Sequence, residues 1–243
     1  MAKLLSYPLS VLYYLLFGGI LVLFDVLQRI TYLFGYQAHK ICVDVLNFFL
    51  VHGLYVLGTR VVFDMPFSLE KNQSYIIVAN HQSTYDIPPL IWFFRKVHPK
   101  FVGKKELGKG IPSISFNLRN GGSVLIDRKN PKQALVAIKA FGEQLAATHR
   151  SAIIFPEGTR SKNHEPRPFK YAGLLMLMKA MPEAKLVGVS ISNSWKLTKY
   201  GTFPLGLGTK LVLTAHPPVD IPKDNKEEVL KALEATISKG IRA

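Results

Sequence analysis

Three short apolar runs constrain the fold of this chain more than any other feature. They are Tyr75-Ile76-Ile77-Val78-Ala79, Ser123-Val124-Leu125-Ile126 and Ala152-Ile153-Ile154-Phe155, and each stops in a polar loop. Runs this short, closed by polar residues and breakers, read as buried strands. Helical signals separate them. Pro131 takes the favoured first position of a helix that reaches about residue 148, with Leu135, Ile138, Phe141 and Leu145 at helical spacing. Residues 87–94, 111–118 and 173–180 read as further helices, and residues 60–63, 101–103, 186–191 and 210–215 as further strands. Asp224 and Glu227 have the spacing of a capping box for a last helix, with Val229, Leu230, Leu233 and Ile237 on one face. This alternation predicts an α/β fold: a mixed, largely parallel sheet flanked by helices.

The first sixty residues differ in kind. No charged side chain occurs between residues 4 and 24, a length sufficient to cross a bilayer. Pro8, Gly18 and Gly19 interrupt this run, and Asp25 ends it. A second apolar stretch, residues 41–62, carries Asp44, His52 and Arg60. Tyr32, Phe34 and Tyr36 lie between the two, and aromatic residues favour membrane interfaces. Three arrangements fit: a transmembrane helix followed by an amphipathic one, a two-helix hairpin lying in one leaflet, or a buried helix pair. A cleaved leader fits poorly, because the run is long and no small-x-small site follows it. The expectation taken forward is a monotopic membrane-binding hairpin over residues 1–60 and a catalytic α/β domain over 61–243, on the cytoplasmic face of the inner membrane.

Charge narrows the partners. The formal net charge is +15, and residues 1–60 contribute only +2, from Lys3, Arg29, Lys40 and Arg60 against Asp25 and Asp44. The basic excess after residue 60 attracts anions: nucleic acid, anionic lipid or phosphorylated substrates. Nucleic acid calls for basic residues interleaved with aromatics or a recognisable binding fold, and neither is present. Cys42 is the sole cysteine, which excludes an internal disulfide; it reads as a small apolar residue.

The loop after the first run is Asn80-His81-Gln82-Ser83-Thr84-Tyr85-Asp86. On a regular helix His81 and Asp86 would lie about 140° apart. A turn removes that limit and lets the carboxylate fold back onto one imidazole nitrogen, fixing the tautomer and leaving the other nitrogen as a base. No protein nucleophile is evident, so the substrate itself supplies one, such as an alcohol. Ser83 need not point at either residue. Two further loops, Asp127-Arg128 and Glu157-Gly158-Thr159-Arg160-Ser161, follow the other two runs. In a mainly parallel sheet all three would share one edge. Gly158 would leave backbone N–H groups open to an anion. Arg160 can grip a phosphate with two N–H groups, and Lys104 and Lys105 add point charges. No His, Cys or carboxylate set stands at zinc spacing.

The first loop resembles the HX4D motif of glycerolipid acyltransferases. Gly122-Ser123-Val124-Leu125-Ile126-Asp127-Arg128 is similar to their second block, and Phe155-Pro156-Glu157-Gly158-Thr159-Arg160-Ser161 to their third and most specific one. The resemblance covers residues 60–215, and the branch acting on 1-acylglycerol 3-phosphate is the nearest. It implies that His81 takes the proton from the acceptor's sn-2 hydroxyl while Asp86 orients the ring. Arg160, with Lys105 and Lys104, would bind the acceptor phosphate. Glu157 and Gly158 would shape that pocket, with Thr159 and Ser161 in the same substrate-binding turn, and Arg128 would contact acceptor or donor. No cofactor and no metal is implied. The donor would be acyl-CoA or acyl-carrier protein, and the acceptor lysophosphatidic acid in the membrane. Glycerol 3-phosphate and a lyso-aminolipid are the alternative acceptors. The family's fourth block often carries a proline, whereas residues 186–191 read Leu-Val-Gly-Val-Ser-Ile.

Overall fold

The structure, a computed structural model, describes residues 2–161 and 165–242. The two N-terminal runs form α1 (Ala2–Leu33) and α2 (Tyr36–Gly53). The apolar run that Pro8, Gly18 and Gly19 interrupt forms one continuous helix. Pro8 removes one backbone bond, to residue 4, without ending the helix. After a short 3-10 turn the chain continues as β1 (Arg60–Asp64), β2 (Tyr75–Ala79), α3 (Ile87–Phe94), β3 (Pro99–Lys104), α4 (Ile114–Asn120), β4 (Val124–Ile126), α5 (Pro131–Ala147) and β5 (Ser151–Ile154). Then come α6 (Tyr171–Ala180), β6 (Lys185–Ser192), β7 (Lys210–Ala215), β8 (Val219–Asp220) and α7 (Lys226–Lys239).

The sheet order is β1-β7-β6-β2-β5-β3-β4, with β8 paired to β6. From β6 to β4 every pairing is parallel. β7 and β8 run antiparallel to β6, which makes the sheet mixed. β2 is central, and all five of its residues are buried. That is why its sequence is continuously apolar rather than alternating. Its side chains feed two cores. Ile77 packs with Leu90, Phe94 and Val189 on one face; Ile76 and Val78 pack with Ile138, Leu174 and Leu230 on the other. The N-terminal segment is part of the first core, through Tyr13, Leu54 and Leu57. Cys42 is buried in a third cluster between α1 and α2, with Leu21, Phe24, Leu46 and Leu50.

Two local expectations fail. Asp224 and Glu227 form no capping box: α7 starts at Lys226, after Asn225 in the left-handed region (φ +58°), and no side chain caps it. That turn puts Asp224 outside the helix. α4 begins at Ile114 rather than residue 111, because Ser113 has φ +64° and cannot extend the helix backwards. The proline-free fourth block is β6. A Cβ on Gly188 would stand 2.9 Å from Leu233 Cδ1 and 3.1 Å from Ile237 Cγ1, so α7 seats directly on this glycine.

Both N-terminal helices are long and apolar enough to cross a membrane. Only 22% of the apolar window of α1 is buried, against 50% for α2. The outer face of α1 therefore exposes Leu4, Leu12, Leu15 and Leu23, and Leu33 and Phe34 protrude at the tip.

Candidate active site

The parallel strands bring the C-terminal ends of β2, β4 and β5 to one edge, and the three polar loops with them. The first loop is fastened at its start. The side-chain amide of Asn80 donates to the Ile191 carbonyl (2.9 Å) and accepts from the Ile191 N–H (2.6 Å), pinning the end of β2 to β6.

His81 and Asp86 meet as the turn permits: His81 Nδ1 lies 2.9 Å from Asp86 Oδ2. Asp86 is fully buried. Its Oδ2 also accepts from the N–H groups of Gln82 (2.8 Å) and Ser83 (2.9 Å). Its Oδ1 accepts from the hydroxyls of Ser83 and Ser194. Ser83, for which the sequence required no such contact, thus holds the carboxylate twice. A carboxylate so placed only accepts, so Nδ1 carries a proton, and in the neutral ring the lone pair is then on Nε2. Nε2 has no hydrogen-bond partner among the described residues. The Phe155 ring stacks on the imidazole at 4.1 Å and 18°.

The third loop grips the backbone of His81 on both sides. Glu157 Oε1 accepts the His81 N–H (2.7 Å), and the Ser161 N–H donates to the His81 carbonyl (2.8 Å). Glu157 Oε2 accepts from the Arg167 N–H (3.1 Å). Burial pushes the Glu157 carboxyl above its ordinary value, against those two donors. Gly158 has φ +71°, where a side chain would strain the turn. Its carbonyl accepts from the Arg128 guanidinium, which joins the second loop to the third.

The remaining candidate residues lie at the same edge. Thr159 and Arg160 are exposed beyond the Gly158 turn, and Lys105 is exposed just past the end of β3. Lys104 lies 3.4 Å from Glu106. Ser161 Oγ is buried without a partner among the described residues. The structure therefore joins His81, Asp86, Glu157 and Ser161 directly and Arg128 to Gly158. It leaves Lys104, Lys105, Thr159 and Arg160 outside that bonded network, facing solvent. Sequence reading missed the fastening by Asn80 and the contacts of Phe155 and Ser194. Asn80 and Phe155 lie inside quoted motifs; Ser194 carries no sequence signal.

Comparison with known proteins identifies the family. A family model described as acyltransferase matches residues 60–192. The chain belongs to the acyltransferase family. It is similar to the 1-acyl-sn-glycerol-3-phosphate acyltransferase of Helicobacter pylori, 36% identical over 133 residues, covering 51% of this chain and 54% of that one. The protein of the same name from Salmonella typhimurium is 30% identical over 176 residues, 72% of this chain and 68% of that one. The match thus spans little more than half the length of the first of these relatives. The crystal structure of the 1-acyl-sn-glycerophosphate (LPA) acyltransferase PlsC from Thermotoga maritima superposes with a TM-score of 0.82 at 27% identity, over 99% of this chain and 96% of that one.

Proposed function

We propose that this protein transfers a fatty acyl group from a thioester, acyl-CoA or acyl-carrier protein, to the sn-2 hydroxyl of 1-acylglycerol 3-phosphate, giving phosphatidic acid. The observation that carries the reading is the pairing of His81 Nδ1 with buried Asp86, which leaves Nε2 unpartnered at the sheet edge that also bears Arg160. The names of the relatives supply the acceptor class.

His81 Nε2 takes the hydroxyl proton as the acceptor oxygen attacks the thioester carbonyl. Asp86 stabilises the imidazolium that forms. The tetrahedral intermediate collapses, the C–S bond breaks, and the departing thiolate recovers the proton from His81. Backbone N–H groups at the strand ends are suited to the transient oxyanion. Arg160, Lys105 and Lys104 hold the acceptor phosphate. Glu157 acts through the backbone of His81, as a positioning residue.

The hairpin of α1 and α2 lies in one leaflet on the cytoplasmic side, with the exposed leucines of α1 among the acyl chains. An acceptor drawn sideways from that leaflet avoids carrying its chain into water, which costs about 0.8 kcal/mol per CH₂. The test is acyl transfer by detergent-purified protein, using lysophosphatidic acid with each donor and with His81→Ala alongside. Phosphatidic acid from the wild type alone supports the reading. Product from the variant at wild-type rate overturns the role of His81, and no product from either overturns the acceptor.

A further inference from the structure

At the opposite edge of the sheet, α2 and the start of β3 enclose a cavity of about 20 Å³ lined by His39, Lys40, Asp44, His98, Lys100 and Asn117. Lys100 is only 8% exposed. The one carboxylate in the lining, Asp44, is taken by Lys40 at 2.5 Å. Among the described residues, Lys100 and Arg150 form no ion pair. Both bear on one ring: Arg150 Cζ lies 3.6 Å, and Lys100 Nζ 4.9 Å, from the centroid of Tyr36. The Tyr36 hydroxyl is 3.0 Å from His98 Nδ1.

Three cations thus share one carboxylate in a mostly buried cluster. A buried charge without a counter-charge is costly. Burial and the nearby Arg150 pull Lys100 down to about 8. A bound anion removes that cost.

We propose that this cavity is a binding site for a phosphate oxyanion. The volume admits one oxygen, since about 10–15 Å³ holds a water-sized group. The phosphorus then stays outside the cavity. Such a phosphate could be free or part of an anionic lipid headgroup. The site is independent of the chemistry at His81.

Its pH dependence follows from the groups facing Lys100. These are Tyr36, His39, Lys40 and Asp44 from α2, His98 before β3, and Arg150 before β5. Phosphate needs the charged ammonium, so affinity falls as the pH rises through about 8.

The experiment uses the full chain in neutral detergent, in an Arg160→Ala background that silences the loop at the other edge. Melting temperature is followed against inorganic phosphate on both sides of pH 8. Flotation is measured with phosphatidylcholine vesicles with and without phosphatidylglycerol. Phosphate should stabilise the protein on the acid side, and Lys100→Met and Arg150→Gln should each weaken the response about ten-fold. If both variants also lose the preference for phosphatidylglycerol, the headgroup is the source; a phosphate response without that loss assigns free phosphate. The proposal falls if neither phosphate nor phosphatidylglycerol affects the parent protein, or if the variants respond as it does. Should Lys100→Met not fold, Arg150→Gln decides alone.

Discussion

The backbone N–H of His81 donates to Glu157 Oε1 at 2.7 Å, across 76 positions of sequence. Together with the Ser161 N–H on the His81 carbonyl, this contact makes the third loop a clamp on the first. Glu157→Gln keeps the shape but turns an amide donor toward either the His81 or the Arg167 N–H. We expect kcat to fall about ten-fold, about 1.4 kcal/mol of barrier, with both KM values nearly unchanged. Steady-state kinetics with each substrate varied checks the split.

The same carboxyl has a signature in stability. Its folded-state pKa is raised above the ordinary 4.5 by burial. The folded state therefore binds this proton more tightly than the unfolded one. Its contribution is full below the ordinary pKa and is lost as pH rises through the folded value. Glu157→Gln abolishes that dependence. Melting temperatures of wild type and variant, compared from the acid side toward neutrality, should gain on the side of the variant as pH rises.

Ser194 donates its hydroxyl to Asp86 Oδ1 and its N–H to Gln82 Oε1 (3.1 Å). Ser194→Ala leaves Oδ1 with only the long bond from Ser83, 3.3 Å. A buried acceptor left short of donors costs about 1–3 kcal/mol. We expect a lower melting temperature and a reduced kcat, with acceptor KM unchanged. A variant that keeps wild-type kcat would make Ser194 a packing residue only.

Arg160 is exposed at the end of the third loop, and no side chain occupies it among the described residues. Arg160→Ala should raise KM for the phosphate-bearing acceptor about ten-fold or more and leave the donor KM alone. Arg160→Lys should recover only part of this, since one ammonium replaces a two-pronged contact. An acceptor titration at saturating donor measures both.

On α1, Leu12 is 54% and Leu15 70% exposed. Changing both to Glu should cost little folding stability, since neither side chain is buried, while releasing the protein from vesicles. Flotation and thermal melting on the same preparation separate the two effects.

The alternation of apolar runs and helical spacing carried most of the α/β layout, because β2, β5 and β6 are buried on both faces and leave an unmistakable signal. The HX4D spacing carried the contact of His81 with Asp86, since only a turn can close five residues. Other contacts were illegible for physical reasons. Asn80 fastens to backbone atoms of Ile191, and a backbone partner has no side-chain signature. Ser194 reaches Asp86 from 108 positions away, through sheet order that no local pattern encodes. The start of α7 was misplaced because the left-handed Asn225 overrides a spacing that looks like a cap.

The seating of α1 has one more consequence. Tyr13 is 2% exposed and packs edge-on to Tyr85, inside the loop that ends in Asp86. Ser10 Oγ accepts the Leu205 N–H at 2.8 Å. The helix is thus bolted to the His81 loop rather than tethered to it. Were a leaflet to take up the outer face of α1, it would meet His81 at one fixed altitude. On the function proposed above, the helix would then be a depth gauge, with an acceptor hydroxyl within reach only at the level in the bilayer that it sets.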